Sequence, residues 1–362
     1  MFVTKFIKEH ANWQELLIEK PYCLKIRETD SYWCLSYNQI ESDFKEVIVR
    51  ECRGLILRKS DLKVVCYPFT KFFNYGEGLA ANIDMSSAKI MEKVDGSIIK
   101  VWWDDIWHIS TNNMIDAFEA KQATGISYGS IFTTVYKNRY GDFTGFTKTL
   151  NKNYTYMFEL VGPLTKVVVT YPEDLYHIGT RDNTTGQELE VDLCIKKPKY
   201  FNLNVGLDGL VELARELPAC EEGYVVVDKD YNRVKIKGPA YVAMAHLKGN
   251  GVVSAKRLLH LIMVNETDEV LSYFPEFKPY IDKLEKLYKG YIAKVEQDIA
   301  RIKDLTFETR KDFAIEVVKT QTPAFFFNVA DGKYTYADLN KYLTDLGAEK
   351  LCKYLKIGDF TY

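Results

Sequence analysis

No run of about 18 apolar residues, the minimum for a membrane-spanning helix, occurs in this chain of 362 residues. Excess charge is also missing. Lys and Arg number 48 against 50 Asp and Glu, for a formal net charge of −2. That balance excludes a uniformly basic coat for nucleic acid but leaves room for a local basic cleft, because a phosphate responds to the field where it binds and not to the sum. Cysteine is sparse and scattered, at positions 23, 34, 52, 66, 194, 220 and 352. An odd count without close pairs speaks against a disulfide framework or a zinc site, and reads as buried reduced thiols in a cytosolic protein. The opening Met1-Phe2-Val3-Thr4-Lys5 meets charge too soon for the apolar core of a signal peptide, so a cytoplasmic location is expected. Neither an internal repeat nor a low-complexity tract is present.

What is present is apolar and aromatic: 47% hydrophobic residues, with 25 Tyr and 20 Phe. The length suits two domains. Over the first two-thirds, short β-branched and aromatic runs bounded by Gly, Asn, Asp or Pro predict strands near 54–57, 97–103, 154–160, 166–171, 223–228 and 233–237. Asp228-Lys229-Asp230-Tyr231-Asn232 reads as a hairpin turn between the last two. The stretch 116–150 is more helical, an insertion beside the sheet. Character changes near Gly249-Asn250-Gly251. Beyond it, Leu284, Tyr288, Tyr291, Val295, Ile299 and Ile302 fall on one face of a helix, with Lys286, Lys289 and Arg301 off the stripe. The expected class is α+β, with a domain of antiparallel sheets and flanking helices over 1–247 and a smaller all-α domain over 248–362.

The residues that suggest chemistry centre on Lys93-Val94-Asp95-Gly96-Ser97. A lysine two residues before Asp-Gly can carry a nucleotide covalently, although the match is weak alone. Gly96 lets a bulky nucleotide approach the backbone, and Asp95 can orient neighbouring groups. A free lysine is protonated at neutral pH and attacks poorly; neighbouring cations or a metal favour the free amine. Lys235 and Lys237, at i and i+2 of a strand, share a face and would neutralise charge developing on a phosphate. Read separately, they are equally two solvent-facing lysines. Arg53, in Glu51-Cys52-Arg53-Gly54, could grip phosphates bidentately. Lys71-Phe72-Phe73-Asn74 sets aromatics beside a cation, and Phe73 could stack on a purine. Glu159 and Glu222 are carboxylates in apolar strands, each in need of a partner such as a ribose hydroxyl, a metal-bound water or a lysine.

In that order, Glu-Cys-Arg-Gly, Lys-Phe-Phe-Asn, Lys-x-Asp-Gly-Ser, Phe-Glu-Leu-Val, Glu-Gly-Tyr-Val and Lys-Ile-Lys resemble the covalent nucleotidyltransferase superfamily, and most closely the phage T4 RNA ligase 1 family, over roughly 45–245. The resemblance implies an ATP-dependent RNA ligase. Lys93 would attack the ATP α-phosphate to give lysyl-AMP, AMP would pass to an RNA 5′-phosphate, and a 3′-hydroxyl would then seal the phosphodiester. It further implies that Arg53 and Lys71 handle ATP phosphates, that Phe73 stacks on adenine, and that Asp95 and Gly96 belong to the nucleotide site. Glu159 would serve the ribose or the metal's water shell, Glu222 the metal beside the nucleophile, and Lys235 and Lys237 the α-phosphate. Asp268 matches another acidic residue near the metal, and Tyr241 a tyrosine after the Lys-Ile-Lys strand. The cofactors implied are ATP and Mg2+, with Mn2+ as a substitute. The implied partner is RNA with 5′-phosphate and 3′-hydroxyl ends, single-stranded or tRNA, in a host cytoplasm if the gene is a phage's, with no membrane and no obligate protein partner.

The chain departs from the family in two places. Ile109-Ser110-Thr111-Asn112-Asn113 lacks the family's basic contact to the nucleotide, so Thr111 or Asn112 would donate hydrogen bonds there. The tail past about 250 shares only helical character, so no tRNA preference carries over. DNA ligases and capping guanylyltransferases carry the same lysine motif but continue into a β-barrel, which the helical tail disfavours. A non-catalytic nucleotide- and RNA-binding protein on the same fold predicts decay at Lys93, Glu222 or the lysine pair, and all are intact.

Overall fold

A computed structural model describes residues 1–122, 125–165, 168–247, 255–268, 271 and 277–358. The chain separates into two units, Met1–Ala245 and His246–Tyr362. The change of character expected at Gly249-Asn250-Gly251 lies outside the described residues.

The first unit is α+β and carries three sheets. One is an antiparallel meander of β1 (Lys25–Glu28), β2 (Tyr32–Ser36), β3 (Arg53–Arg58) and β4 (Val64–Cys66). The strands β5 (Phe73–Asn74) and β6 (Lys89–Glu92) enter a second sheet, while β7 (Ser97–Asp104), β8 (Ile106–Thr111), β9 (Tyr154–Val161), β10 (Asp174–Asp182) and β11 (Glu188–Leu189) build a third in the order β11-β10-β9-β7-β8. The chain then returns through β12 (Tyr200–Phe201), β13 (Gly223–Val227) and β14 (Arg233–Lys237), so the second sheet runs β12-β6-β13-β14-β5. Only its β14–β5 edge is parallel.

Alternation along β7 explains how the sheets stack. Ile99 and Val101 face a core with Phe132, Tyr136 and Phe158, which the helix Tyr128–Tyr140 closes. Trp102, on the opposite face, packs against Cys34, Ile56, Val65 and Cys66 of the first sheet. In the second sheet, Ile90, Tyr224, Val226, Val234 and Ile236 bury one face against Leu210 and Ala214 of the helix Leu207–Arg215. The odd positions of β14, including Lys235 and Lys237, stay partly exposed.

One expected strand differs. Of 166–171, residues 166–167 lie outside the described residues, and 168–171 form no strand. Apolar content alone does not make a strand here, because Gly162 at φ +147° and the 3-10 turn Pro163–Thr165 end β9 first. Pairing to β9 resumes only in β10.

The described part of the second unit is helical and contains no strand. Its long helix Lys278–Lys303 buries Ile281, Leu284, Tyr288, Tyr291, Val295, Ile299 and Ile302, the expected stripe extended by one turn. The helix Ala255–Met263 packs against it and against Leu339–Tyr354. None of the described helices is long and apolar enough to cross a membrane.

Candidate active site

Residues 93–96 link the last residue of β6 to the first of β7 and so pass from one sheet to another. The Lys93 amide donates to the Gly223 carbonyl at 2.8 Å, which continues the β6–β13 pairing by one residue and sets Lys93 beside Glu222. Gly223 is required there. It has φ +136°, and a Cβ would lie 2.1 Å from the Ile236 carbonyl oxygen.

The resulting cluster has one acid and two amines. Lys93 Nζ lies 2.8 Å from Glu222 Oε1, and Lys237 Nζ lies 3.4 Å from the same oxygen. The Glu222 side chain is 4% exposed and that of Lys93 22%. The carboxylate is therefore held inside while the amine remains reachable. A buried carboxylate flanked by two ammonium groups is electrostatically tolerable.

Lys93 borders a cavity of about 250 Å³ whose walls include Arg53, Phe72, Gly96, Asn112 and Glu159. Arg53 opens β3, and its Nη1 is buried with no hydrogen-bond partner; the guanidinium stands 5.7 Å from the Phe72 ring centroid. Asn112 Oδ1 is likewise buried and unpartnered. Unsatisfied buried polar atoms of this kind invite a polar ligand, and a guanidinium suits phosphate. Burial pushes the Glu159 carboxyl up to about 7, against the pull of the Lys93 charge and with further repulsion from Glu222.

The other expected residues take several positions. Asp95 faces away from solvent and anchors the loop. Its Oδ1 accepts from the Tyr241 hydroxyl at 2.9 Å, and its Oδ2 from the Val168 and Val169 amides at 2.8 Å each. Gly96 lines the cavity, but its close approach is to β9, since a Cβ would meet the Leu160 carbonyl oxygen at 2.5 Å. Lys71 sits among Tyr37, Phe44 and Phe73, with Nζ 5.0–5.6 Å from their ring centroids. Phe73 is buried beside Phe44, whereas Phe72 reaches the cavity. Lys235 and Lys237 alternate with buried Val234 and Ile236 on β14. Thr111 caps its own turn through the Met114 amide at 3.1 Å. Asp268 belongs to the second unit, where it is exposed in a helical turn.

Phe69, Phe72 and Arg233 are among the cavity residues that the sequence did not single out. Arg233 forms a bidentate pair with Glu188 at 2.9 and 2.8 Å, and its guanidinium lies 4.2 Å from the Phe69 centroid and 5.6 Å from that of Phe72. An arginine opening the Lys-Ile-Lys strand on the same face was the available signal.

A metal would have to come between substrate and protein. Among the described residues, no group of three or more His, Cys, Asp or Glu could hold one. Glu159 and Glu222 are close enough to repel, and two such carboxylates suit a hard divalent cation that keeps most of its water and binds substrate phosphates.

Residues 51–241 match the model of a protein family described as RNA ligase, of the T4 RNA ligase 1 type. A protein of Autographa californica nuclear polyhedrosis virus described as a bifunctional polynucleotide kinase/RNA ligase is 31% identical over 273 residues, covering 68% of this chain and 39% of the viral protein. The chain thus spans well under half the length of that relative. An RNA ligase of Rhodothermus phage RM378 is 26% identical, covering 80% of this chain and 83% of the phage protein. Among solved structures, an archaeal ATP-dependent RNA ligase aligns with a TM-score of 0.45 and 13% identity over 88% of this chain and 78% of its own.

Proposed function

The chain belongs to the RNA ligase family of the T4 RNA ligase 1 type, and from that membership we propose that it seals RNA ends with ATP through lysyl-AMP and adenylated-RNA intermediates. The observation that carries the reading is the contact of Lys93 with Glu222 and, through the same oxygen, Lys237, at the rim of a cavity in which the Arg53 Nη1 donor is buried and unpartnered.

Lys93 Nζ attacks the α-phosphorus of ATP. An N–P bond forms, the bond to the bridging oxygen breaks, and pyrophosphate leaves. Glu222, 2.8 Å away, accepts the proton that the amine sheds. Lys235 and Lys237 meet the charge that grows on the α-phosphate oxygens. Arg53 binds phosphate through Nη1, and Lys71 serves the outer phosphates. The base lies against the aromatic wall, for which Phe72 is better placed than Phe73. Asp95 acts by holding the Lys93 loop to Tyr241 and the 168–169 amides. Glu159 takes the ribose hydroxyls or the metal's water. A bound Mg2+ or Mn2+ would neutralise the departing pyrophosphate, with Glu159 and Glu222 as its protein-side acceptors.

AMP then passes to an RNA 5′-phosphate, and a 3′-hydroxyl displaces it. Single-stranded or tRNA ends, a cytoplasmic setting and choice of RNA by the helical domain after 247 complete the reading. The absence of strands among the described residues of that unit supports an RNA ligase over enzymes that append a β-barrel.

The test is incubation with α-labelled ATP or GTP and magnesium, after removal of any bound AMP, followed by a denaturing gel. Label from ATP that survives denaturation and disappears in Lys93→Ala is expected. No covalent label on the wild-type protein would sink the proposal. The same Lys93→Ala protein should still seal pre-adenylated RNA, since that step no longer uses the nucleophile.

A further inference from the structure

Lys100 is a lysine with no exposed surface, on the face of β7 shared with Trp102. Burying an ammonium without a carboxylate is costly, yet no ion pair joins Lys100 to any described residue. Its Nζ donates to the Gly54 carbonyl. Two buried acids of the same strand and of the segment before β3 are already engaged. Asp104, on the same strand, accepts from Arg58 at 2.7 Å and from Tyr32 at 3.0 Å. Glu51 accepts from the Phe2 and Val3 amides. The Lys100 charge acts instead on the neutral thiols of Cys34 and Cys66.

The location gives this charge a use. Gly54 has φ +81°, and a Cβ there would meet the Asn112 carbonyl oxygen at 2.3 Å and Lys100 Nζ at 2.7 Å. The ammonium and the Asn112 backbone therefore converge on one glycine. The residue before that glycine is Arg53, and both Arg53 and Asn112 line the cavity with buried polar atoms that lack partners. Two positive charges, those of Lys100 and Arg53, thus stand behind one stretch of wall where, among the described residues, neither has an ion-pair partner and where burial holds the carboxyl that feels Arg53, Glu159, toward its neutral form. A polyanionic ligand supplies the balancing charge.

We propose that Lys100 is a positioning residue for the phosphates of ATP. Its hydrogen bond fixes the Arg53-Gly54 backbone that aims the guanidinium, and its buried charge favours a ligand in proportion to that ligand's negative charge. The inference rests on the ATP reading above and adds a residue to it.

Binding of adenosine, AMP, ATP and pyrophosphate is measured by calorimetry in a Lys93→Ala background, where ATP is not consumed. Lys100→Met removes the charge and the donor, Lys100→Gln keeps a donor, and Lys100→Arg keeps the charge. In Lys100→Met, ATP and pyrophosphate should weaken about tenfold or more, the scale of one charge-assisted contact, with AMP intermediate and adenosine within about twofold of the parent. Lys100→Gln should follow Met if charge dominates, and Lys100→Arg should recover part of the loss. Equal weakening of adenosine and ATP overturns the proposal in favour of a structural role, and parent-like binding of all four overturns it outright. Loss of the fold in both neutral variants, unrescued by saturating ATP, also overturns it, because Lys100 then serves the fold alone. If the parent itself binds none of the four and wild type takes no label, the ATP reading has failed rather than the role of Lys100.

Discussion

Glu159 lies within the apolar strand β9 and Glu222 just before β13, yet only Glu222 has lysine nitrogens at its oxygen, two of them. Glu159 is left with desolvation as its dominant influence, which raises its carboxyl from 4.5 to about 7. The folded chain therefore holds a proton that the unfolded chain has released. Between those two values folding takes up a proton, so stability falls as pH rises through that window and levels off above it. Glu159→Gln removes this dependence. The variant should match wild type in urea near pH 4 and exceed it at pH 8 by at most about 3 kcal/mol, while losing ATP- and metal-dependent labelling. A wild-type advantage at pH 8 would refute the assignment. The need of Glu159 for a partner could be read from its apolar neighbours in sequence; that the Lys93 amine pairs with Glu222 instead could not, because that depends on which strand ends meet at Lys93. Asp95 shows the same limit. Its motif position suggested the nucleotide, but its partners are Tyr241 and two amides more than 70 positions away.

At the scale of elements, the site depends on one short crossing between sheets. Gly96 passes so near β9 that a Cβ would stand 2.5 Å from the Leu160 carbonyl and 2.9 Å from Val161 Cγ1. The backbone carbonyl cannot yield without breaking β7–β9 pairing. Gly96→Ala should therefore lower stability by about 1–3 kcal/mol, the usual range for overpacking, and reduce self-adenylation more than Gly78→Ala, whose Cβ would enter open space from an ordinary backbone conformation. Urea midpoints and label incorporation for the two variants check this. Strand periodicity made Lys235 and Lys237 legible, because β14 is long enough to show alternation with Val234 and Ile236. It failed at Phe72 and Phe73, since β5 is only two residues long and a short strand carries no phase. The aromatic chosen from the motif was Phe73, whereas the cavity takes its neighbour.

At the scale of the molecule, a net charge of −2 coexists with a locally cationic wall, which is why the charge total said so little about partners. The helical character of the described part of the tail was legible from a single helical stripe. Except for Asp268, every residue proposed to handle ATP lies in Met1–Ala245, and that unit holds its own apolar clusters. A fragment of residues 1–247, which keeps the helix Pro239–Leu247 whole, should therefore fold and accept AMP from ATP within about tenfold of the full chain, a change of roughly 1.4 kcal/mol in the barrier. Its sealing of RNA should fall much further if the helical unit selects the RNA. Circular dichroism with label incorporation and ligation of 5′-phosphorylated single strands measures the three quantities. Asp268 decides between the remaining readings. Should the fragment lose labelling by about a hundredfold or more, and Asp268→Asn in the full chain reproduce that loss, Asp268 belongs to the metal's shell as the family resemblance implied. A fragment that labels normally assigns the acid to the surface of the helical unit and leaves Glu159 and Glu222 as the protein's contribution to the metal.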